Sequence, residues 1–270
     1  VIFPRVVGST MSYEDIEYRV SEGIAEIALD RPDVYNAYTQ DMLVELNTAI
    51  EEATDDESVY AIVLTGNGKG FCSGKDTADS VTPEYRFEET ERLGKVASAM
   101  RLLYDGPKPS IAAVNGPAVG GGMELALSCD FRVMSEEAFL RDAHVDIGAT
   151  PATGGGWILP RMIGEAKAKQ VVLLGEDIAA EEAEDLGVAC EVVPDGESRA
   201  AAREIAATLR DKPAVALQES KRLVDPTVRS FDEHAHMVLD SRWACEEDPE
   251  SAEAAAARQE GREPEFDREY

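Results

Sequence analysis

Four cysteines, three histidines and eight lysines are all that 270 residues provide of those types. Cys72, Cys129, Cys190 and Cys245 lie far apart, with neither a Cys-x-x-Cys pair nor Cys/His ligand spacing, which argues against a zinc site. Long apolar runs are missing as well. Ala61–Leu64 and Ile111–Val114 are typical, against the ~20 residues that a membrane span needs. Residues 1–10 lack the apolar stretch of a signal peptide, and Met11 reads as a natural start, so 1–10 are expected to be an N-terminal extension. Without a secretion signal, reduced thiols and a cytoplasmic location are the expectation.

Positive charge is the largest deficit. The chain has 26 Lys+Arg against 54 Asp+Glu, a formal net charge of −28. Such a field repels phosphate and excludes unassisted binding to nucleic acid or to an anionic membrane. The acids recur in Glu51–Glu57, Glu181–Asp185 and Glu246–Glu250 instead of one tail, the pattern of a surface built to stay hydrated in high salt. A hydrophobic fraction of 44% is that of a globular protein, and the length is ample for one large core.

Apolar periodicity alternates along the first two thirds. Ile24–Leu29, Tyr60–Thr65, Ser110–Asn115 and Phe131–Met134 read as strands. Gln40–Ala53, Phe87–Tyr104 and Gly120–Cys129 read as helices. Strands alternating with helices imply an α/β core. From Glu165 onward the pattern is mostly helical, with Ala179–Leu186, Glu197–Leu209, Pro213–Val224 and Val228–Cys245 as candidates. The expected organisation is an α/β core over 11–200 and a helical C-terminal region over 201–270. That region is too thin to bury a core alone, so it must pack on the first part or on a neighbouring subunit.

Two glycine-containing turns carry the chemistry. Gly66-Asn67-Gly68-Lys69-Gly70 fails as a phosphate loop because Phe71-Cys72 follow where Lys-Ser/Thr is needed. Directly after it, Phe71-Cys72-Ser73-Gly74-Lys75-Asp76 leaves a buried strand through a small residue and a glycine, which lets backbone N–H groups face a ligand. Asn115-Gly116-Pro117-Ala118-Val119-Gly120-Gly121-Gly122-Met123-Glu124 does the same at a helix start, where unpaired N–H groups and the helix dipole favour an anion. Two such turns can aim two donors at one oxygen, an oxyanion hole, in which one donor is worth ~3–4 kcal/mol in a transition state. Glu124 sits one turn inside that helix, either as a terminus charge or as an acid/base beside the anion site. Cys72 beside the turn is expected to be a buried thiol and not a nucleophile.

Phe71–Asp76 and Ala113–Asp130 closely resemble the two signature segments of the crotonase, or enoyl-CoA hydratase/isomerase, superfamily. Arg31-Pro32 with Asn36-Ala37 is similar to its early CoA-side turn, residues 148–164 to its following Gly-rich segment, and Leu174-Gly175 through Val193 with Lys212-Pro213 to its later helices. The resemblance covers about 12–266. It implies a crotonase-like spiral of ββα repeats, a helical C-terminal trimerisation region, a homotrimer or homohexamer, and an acyl-CoA thioester substrate. It implies no metal or redox cofactor, coenzyme A being part of the substrate. The N–H groups of Ser73 and Gly121 would hold the thioester oxygen as an enolate forms. Asn36, Ala37, Lys75, Asp76, Gly120, Trp157 and Lys221 are the candidates for substrate and CoA contact.

Hydratases of the family carry two catalytic carboxylates. The first matches Glu124. The second lies seven residues before the Pro of the Gly-rich stretch, and counting back from Pro151 lands on His144. Adding water needs one group to deprotonate it and another to deliver a proton to Cα. Glu124 can take either role. His144 can take the other, since imidazole titrates near neutral pH. Were this stretch extended, Asp146 would share a face with His144 and either serve or orient it. Ala152 disfavours the dienoyl-CoA isomerase branch, and Glu124 disfavours the naphthoate synthase branch. The Gly-Gly-x-Trp-x-Leu-Pro-Arg run at 154–161 is similar to some enoyl-CoA isomerases. The expected activity is therefore hydration of a 2-enoyl-CoA. Its rivals are a double-bond shift, acyl-CoA hydrolysis, and an acyl-CoA-binding protein without turnover.

Overall fold

Two residues with positive φ, Glu22 at 53° and Gly23 at 73°, turn β1 (Ile16–Ser21) back onto β2 (Ile24–Leu29) as an antiparallel hairpin. Positive φ at both central positions gives a turn whose twist matches that of the flanking strands. The computed structural model describes residues 13–76, 78, 94, 98–151, 154–224 and 231–268. From β2 onward the main sheet is parallel through β3 (Ala61–Gly66), β4 (Ser110–Val114), β6 (Phe131–Ser135) and β9 (Glu191–Val193), in the order β1-β2-β3-β4-β6-β9. A second sheet runs β5 (Ala118–Val119), β7 (Phe139–Arg141) and β8 (Asp177–Ala179).

β3, β4 and β6 are each followed by a short strand or bridge in the second layer and then by a helix. β3 leads to the bridge between Cys72 and Ala118 and on to α2, described over 98–104. β4 leads to β5 and α3 (Gly121–Ser128), and β6 leads to β7 and then α4 (Gly155–Ile163). This is the expected ββα spiral. The expected helix Phe87–Tyr104 lies mostly outside the described residues.

β3 and β4 are buried along their whole length, which is why they read as unbroken apolar runs. Alternation sends Ile62 and Leu64 of β3 into one cluster with Leu43, Leu46 and Ile50 of α1 (Gln40–Asp55), and with Met123 and Leu127 of α3. Ala61 and Val63 face the other way, onto Ala202, Ile205, Ala206 and Leu209 of α7 (Ser198–Arg210). α7 spans residue 200, where the core was expected to end, and covers a face of the main sheet. α5 (Glu165–Leu174) and α6 (Ala180–Asp185) precede it.

Beyond α7, α8 (Ala214–Leu223), α9 (Phe231–Glu247) and α10 (Pro249–Glu260) pack on one another. Arg268 fastens the chain end to this group by pairing with Glu250 at 2.6 Å, and Glu250 also accepts the Ala214 N–H at 2.9 Å. No described helix is long and apolar enough to cross a membrane.

Candidate active site

The two glycine turns meet. Val119 N–H donates to the Cys72 carbonyl at 2.9 Å, beside the Cys72–Ala118 bridge. Contact is so close that a methyl at Gly122 would lie 2.0 Å from the Cys72 oxygen, and one at Gly121 would lie 2.2 Å from Tyr38 Oη. Gly120 caps α3 with φ 53° and ψ −120°, a conformation that favours glycine. The first N–H groups of α3, Gly121 among them, have no intrahelical acceptor. A methyl at Gly74 would come within 3.5 Å of Gly121 N, so the Ser73–Gly74 turn borders this helix start. The Ser73 N–H itself donates to the Tyr35 carbonyl at 2.9 Å, and its hydroxyl donates to the Val34 carbonyl at 3.0 Å. Thiolate chemistry at Cys72 is disfavoured, because full burial pushes its thiol up to about 12.

Glu124 is buried in the first turn of α3, at 1% exposure. Its Oε1 accepts from Gly155 N at 2.8 Å and from Gly154 N at 3.2 Å. The carboxylate thus sits at the N-terminus of α4, where the helix dipole favours negative charge. Gly155 is the residue that permits the approach, since a methyl there would be 3.1 Å from Glu124 Oε1.

His144 approaches the same place from the other side. Its ring lies over Gly120, with Cε1 3.6 Å and Nε2 3.8 Å from the point where a Gly120 methyl would be. Its Nδ1 is 2.7 Å from Asp142 Oδ1. That bond raises the imidazole above its ordinary value against the opposing effect of burial, and the charges of Asp142 and Glu124 add to the rise.

An extended stretch at 144–146 is not what forms. Residues Val145–Ile147 make a 3₁₀ turn closed by Gly148 at φ 72°. With three residues per turn, positions two apart diverge around the axis. Asp146 accordingly faces Gly175, where a methyl would meet Oδ2 at 3.2 Å, while His144 faces Gly120. The carboxylate that does hold His144 is Asp142, which sequence reasoning passed over. The Asp-x-His spacing was the available signal.

The remaining candidates take structural posts. Asn36, at φ 56°, is fully buried and donates Nδ2 to the carbonyls of Asn67 (3.0 Å), Gly70 (2.8 Å) and Phe71 (3.3 Å). It ties the early turn to the glycine loop after β3. Ala37 is buried, and its carbonyl accepts from Arg31, which also pairs with Asp76 at 2.9 Å. Lys75 bridges in register with Tyr38, beside the Ser73 turn. Trp157, 38% exposed, stacks under the Arg161 guanidinium at 3.9 Å and against the edge of Tyr104. Lys221 is not brought to the site. Its ammonium donates to the carbonyls of Leu103 and Lys108 and pairs with Asp130 at 2.8 Å, past the far end of α3 from Glu124.

A cavity of about 720 Å³ lies elsewhere, between the Thr54–Tyr60 region and the C-terminal helices. Asp55, Glu57, Glu250 and Glu253 line it, and none of the residues of the helix-start site does. Among the described residues no group of three or more His, Cys, Asp or Glu is placed to hold a metal ion.

Comparison with known proteins gives the family and the fold. Residues 19–268 match the family model described as enoyl-CoA hydratase/isomerase. A protein of Rhodobacter capsulatus named "Probable enoyl-CoA hydratase" is 40% identical over 78% of this chain and 81% of its own. The crotonyl-CoA hydratase of Syntrophomonas wolfei is 36% identical over 78% and 81%. The crystal structure of an enoyl-CoA hydratase from Bacillus anthracis superposes with a TM-score of 0.88 at 27% identity, covering 95% of this chain and all of that one. The chain belongs to the enoyl-CoA hydratase/isomerase family.

Proposed function

We propose that the protein adds water across the double bond of a 2-enoyl-CoA thioester, giving the 3-hydroxyacyl-CoA. The observation that carries this reading is the convergence of two proton-transferring side chains on one helix start. Glu124 stands in the first turn of α3 and His144 lies over its capping Gly120. The Gly121 N–H points out of the helix end and receives the thioester oxygen as negative charge develops on it. The Ser73 N–H, expected as the second donor, is instead committed to the Tyr35 carbonyl at 2.9 Å, so the proposal rests on the Gly121 N–H.

Glu124, as carboxylate, takes a proton from water while the water oxygen bonds to C3. Electrons from the double bond move through Cα onto the thioester oxygen. His144, raised toward the imidazolium form, then donates its proton to Cα as the carbonyl re-forms. Transfer of the proton on Glu124 to the neutral imidazole through solvent restores the starting state. The addition involves no net oxidation, so the chain's own groups suffice without a metal or redox cofactor. The single-base alternative, a double-bond shift, is favoured by the Gly-Gly-x-Trp-x-Leu-Pro-Arg run at 154–161, which is similar to some enoyl-CoA isomerases.

The exposed Leu173, Leu174, Leu239 and Trp243 support association into the proposed homotrimer or homohexamer. The reading places the enzyme in the cytoplasm, with α8–α10 as the association region.

Crotonyl-CoA in high salt is the test. Hydration removes the enoyl-thioester absorbance and yields a product heavier by one water. Folded protein that leaves the band unchanged, or converts a 3-enoyl-CoA to the 2-enoyl isomer without hydrating it, overturns the reading.

A further inference from the structure

Asp142 is fully buried in the segment that follows β7, and one of its oxygens is committed twice to the same neighbour. Oδ1 accepts the His144 backbone N–H at 3.0 Å and faces the ring Nδ1 at 2.7 Å. The two contacts fix both the backbone and the ring of His144, leaving Nε2 as the nitrogen turned toward Gly120. Among the described residues, Oδ2 has no hydrogen-bond partner although it is buried. Buried carboxylates ordinarily satisfy both oxygens. A turn-forming role alone would be served by one acceptor of a neutral Asn or Ser. The second oxygen lies 3.6 Å from the point where a Gly155 methyl would be, the same point that Glu124 Oε1 approaches to 3.1 Å. Two acids thus converge on one glycine, with the imidazole held between one of them and the helix start.

We propose that Asp142 is the positioning residue for His144: it grips the ring by Nδ1, so that Nε2 is the atom that exchanges a proton with the substrate beside Gly120. The assignment rests on the hydratase reading only for what the proton does. The grip and its effect on the ring are properties of the free protein. In the neutral ring the Asp142 carboxylate holds the proton on Nδ1 and leaves the Nε2 lone pair toward the cleft. In the charged ring Nε2–H points there. The same arrangement explains why the imidazole is raised despite burial. The charged groups that face it are Asp142, on its own segment, and Glu124 from α3. Its charged neighbours in sequence turn elsewhere, Arg141 to Asp177 at 2.8 Å and Asp146 toward Gly175.

The chain's three histidines make the test direct, because only His144, His234 and His236 contribute imidazole signals. Nitrogen-15 NMR of the labelled full chain, titrated with pH, reads tautomer and midpoint together, with His144 assigned from its absence in His144→Ala. The wild type is expected to show the Nδ1–H tautomer for His144 at high pH. Asp142→Asn is expected to lower the midpoint by about one pH unit or more and to mix the tautomers. Asp146→Asn moves the midpoint far less. In turnover of crotonyl-CoA, Asp142→Asn lowers kcat on the order of tenfold with KM little changed, and it shifts the alkaline limb of the kcat profile to lower pH. An Nε2–H tautomer in the wild type, which needs no variant to fold, overturns the proposal. So does an unmoved midpoint in folded Asp142→Asn. Failure of the hydratase reading shows differently, as absent turnover with the NMR signature intact.

Discussion

At the residue scale, close approach and charge decide what each position tolerates. Gly122→Ala places a methyl against the Cys72 backbone oxygen, 2.0 Å away, where no flexible side chain can yield. The expected cost is about 1–3 kcal/mol or more, read by chemical denaturation, with the α3 helix start displaced. An unchanged midpoint would mean that the two turns are not pressed together. His144 has a pH consequence with a definite sign. Its folded value is raised, so its contribution to stability is complete below the ordinary 6.5 and is lost as pH rises through the folded value. Activity that needs the imidazolium falls over the same rise, which a kcat profile against pH reads. The glycines and Glu124 were legible because their spacing is stereotyped. Asp142 was not, since a carboxylate two residues from a histidine has no meaning until the backbone turns it onto the ring. The role of Asn36 was equally hidden, because the partners of its Nδ2 are backbone carbonyls, which every sequence supplies.

At the element scale, long periodic segments announced themselves and short ones did not. Ile24–Leu29 was read to the residue, and α1, α3, α7 and α8 fell within a residue or two of expectation. β5, β7, β8 and β9 have two or three residues each, too few for any period, and their pairing is set by the strands beside them. The 3₁₀ turn after His144 escaped for the same reason. α1 supplies an element-level test. Thr39 caps it, its Oγ1 accepting the Met42 N–H at 3.1 Å. Thr39→Ala is expected to lower unfolding free energy by about 1 kcal/mol with the site unaltered, measured by urea denaturation beside turnover. Loss of turnover without loss of stability would place α1 in the site instead of behind it.

At the scale of the whole molecule, a charge of −28 repels itself. Acidic side chains cover strands, helix faces and the walls of the 720 Å³ cavity, where burial lowers the Lys108 ammonium to about 8. Salt screens that repulsion over about 10 Å at 0.1 M and over shorter distances above it. The melting temperature is therefore expected to rise from dilute buffer to molar KCl. A fall would show that the exposed ion pairs, such as Arg262 with Glu253, outweigh the repulsion.

One fold brings together two glycine turns, a carboxylate and an imidazole, and the account stands on those last two sharing the work. The most direct measurement is the rate of crotonyl-CoA band loss for the wild type, Glu124→Gln and His144→Ala, in high salt at neutral pH. The account predicts rapid loss in the wild type and a fall of about 10²–10⁴-fold in each variant. Near-wild-type hydration by either variant, on folded protein, would contradict it.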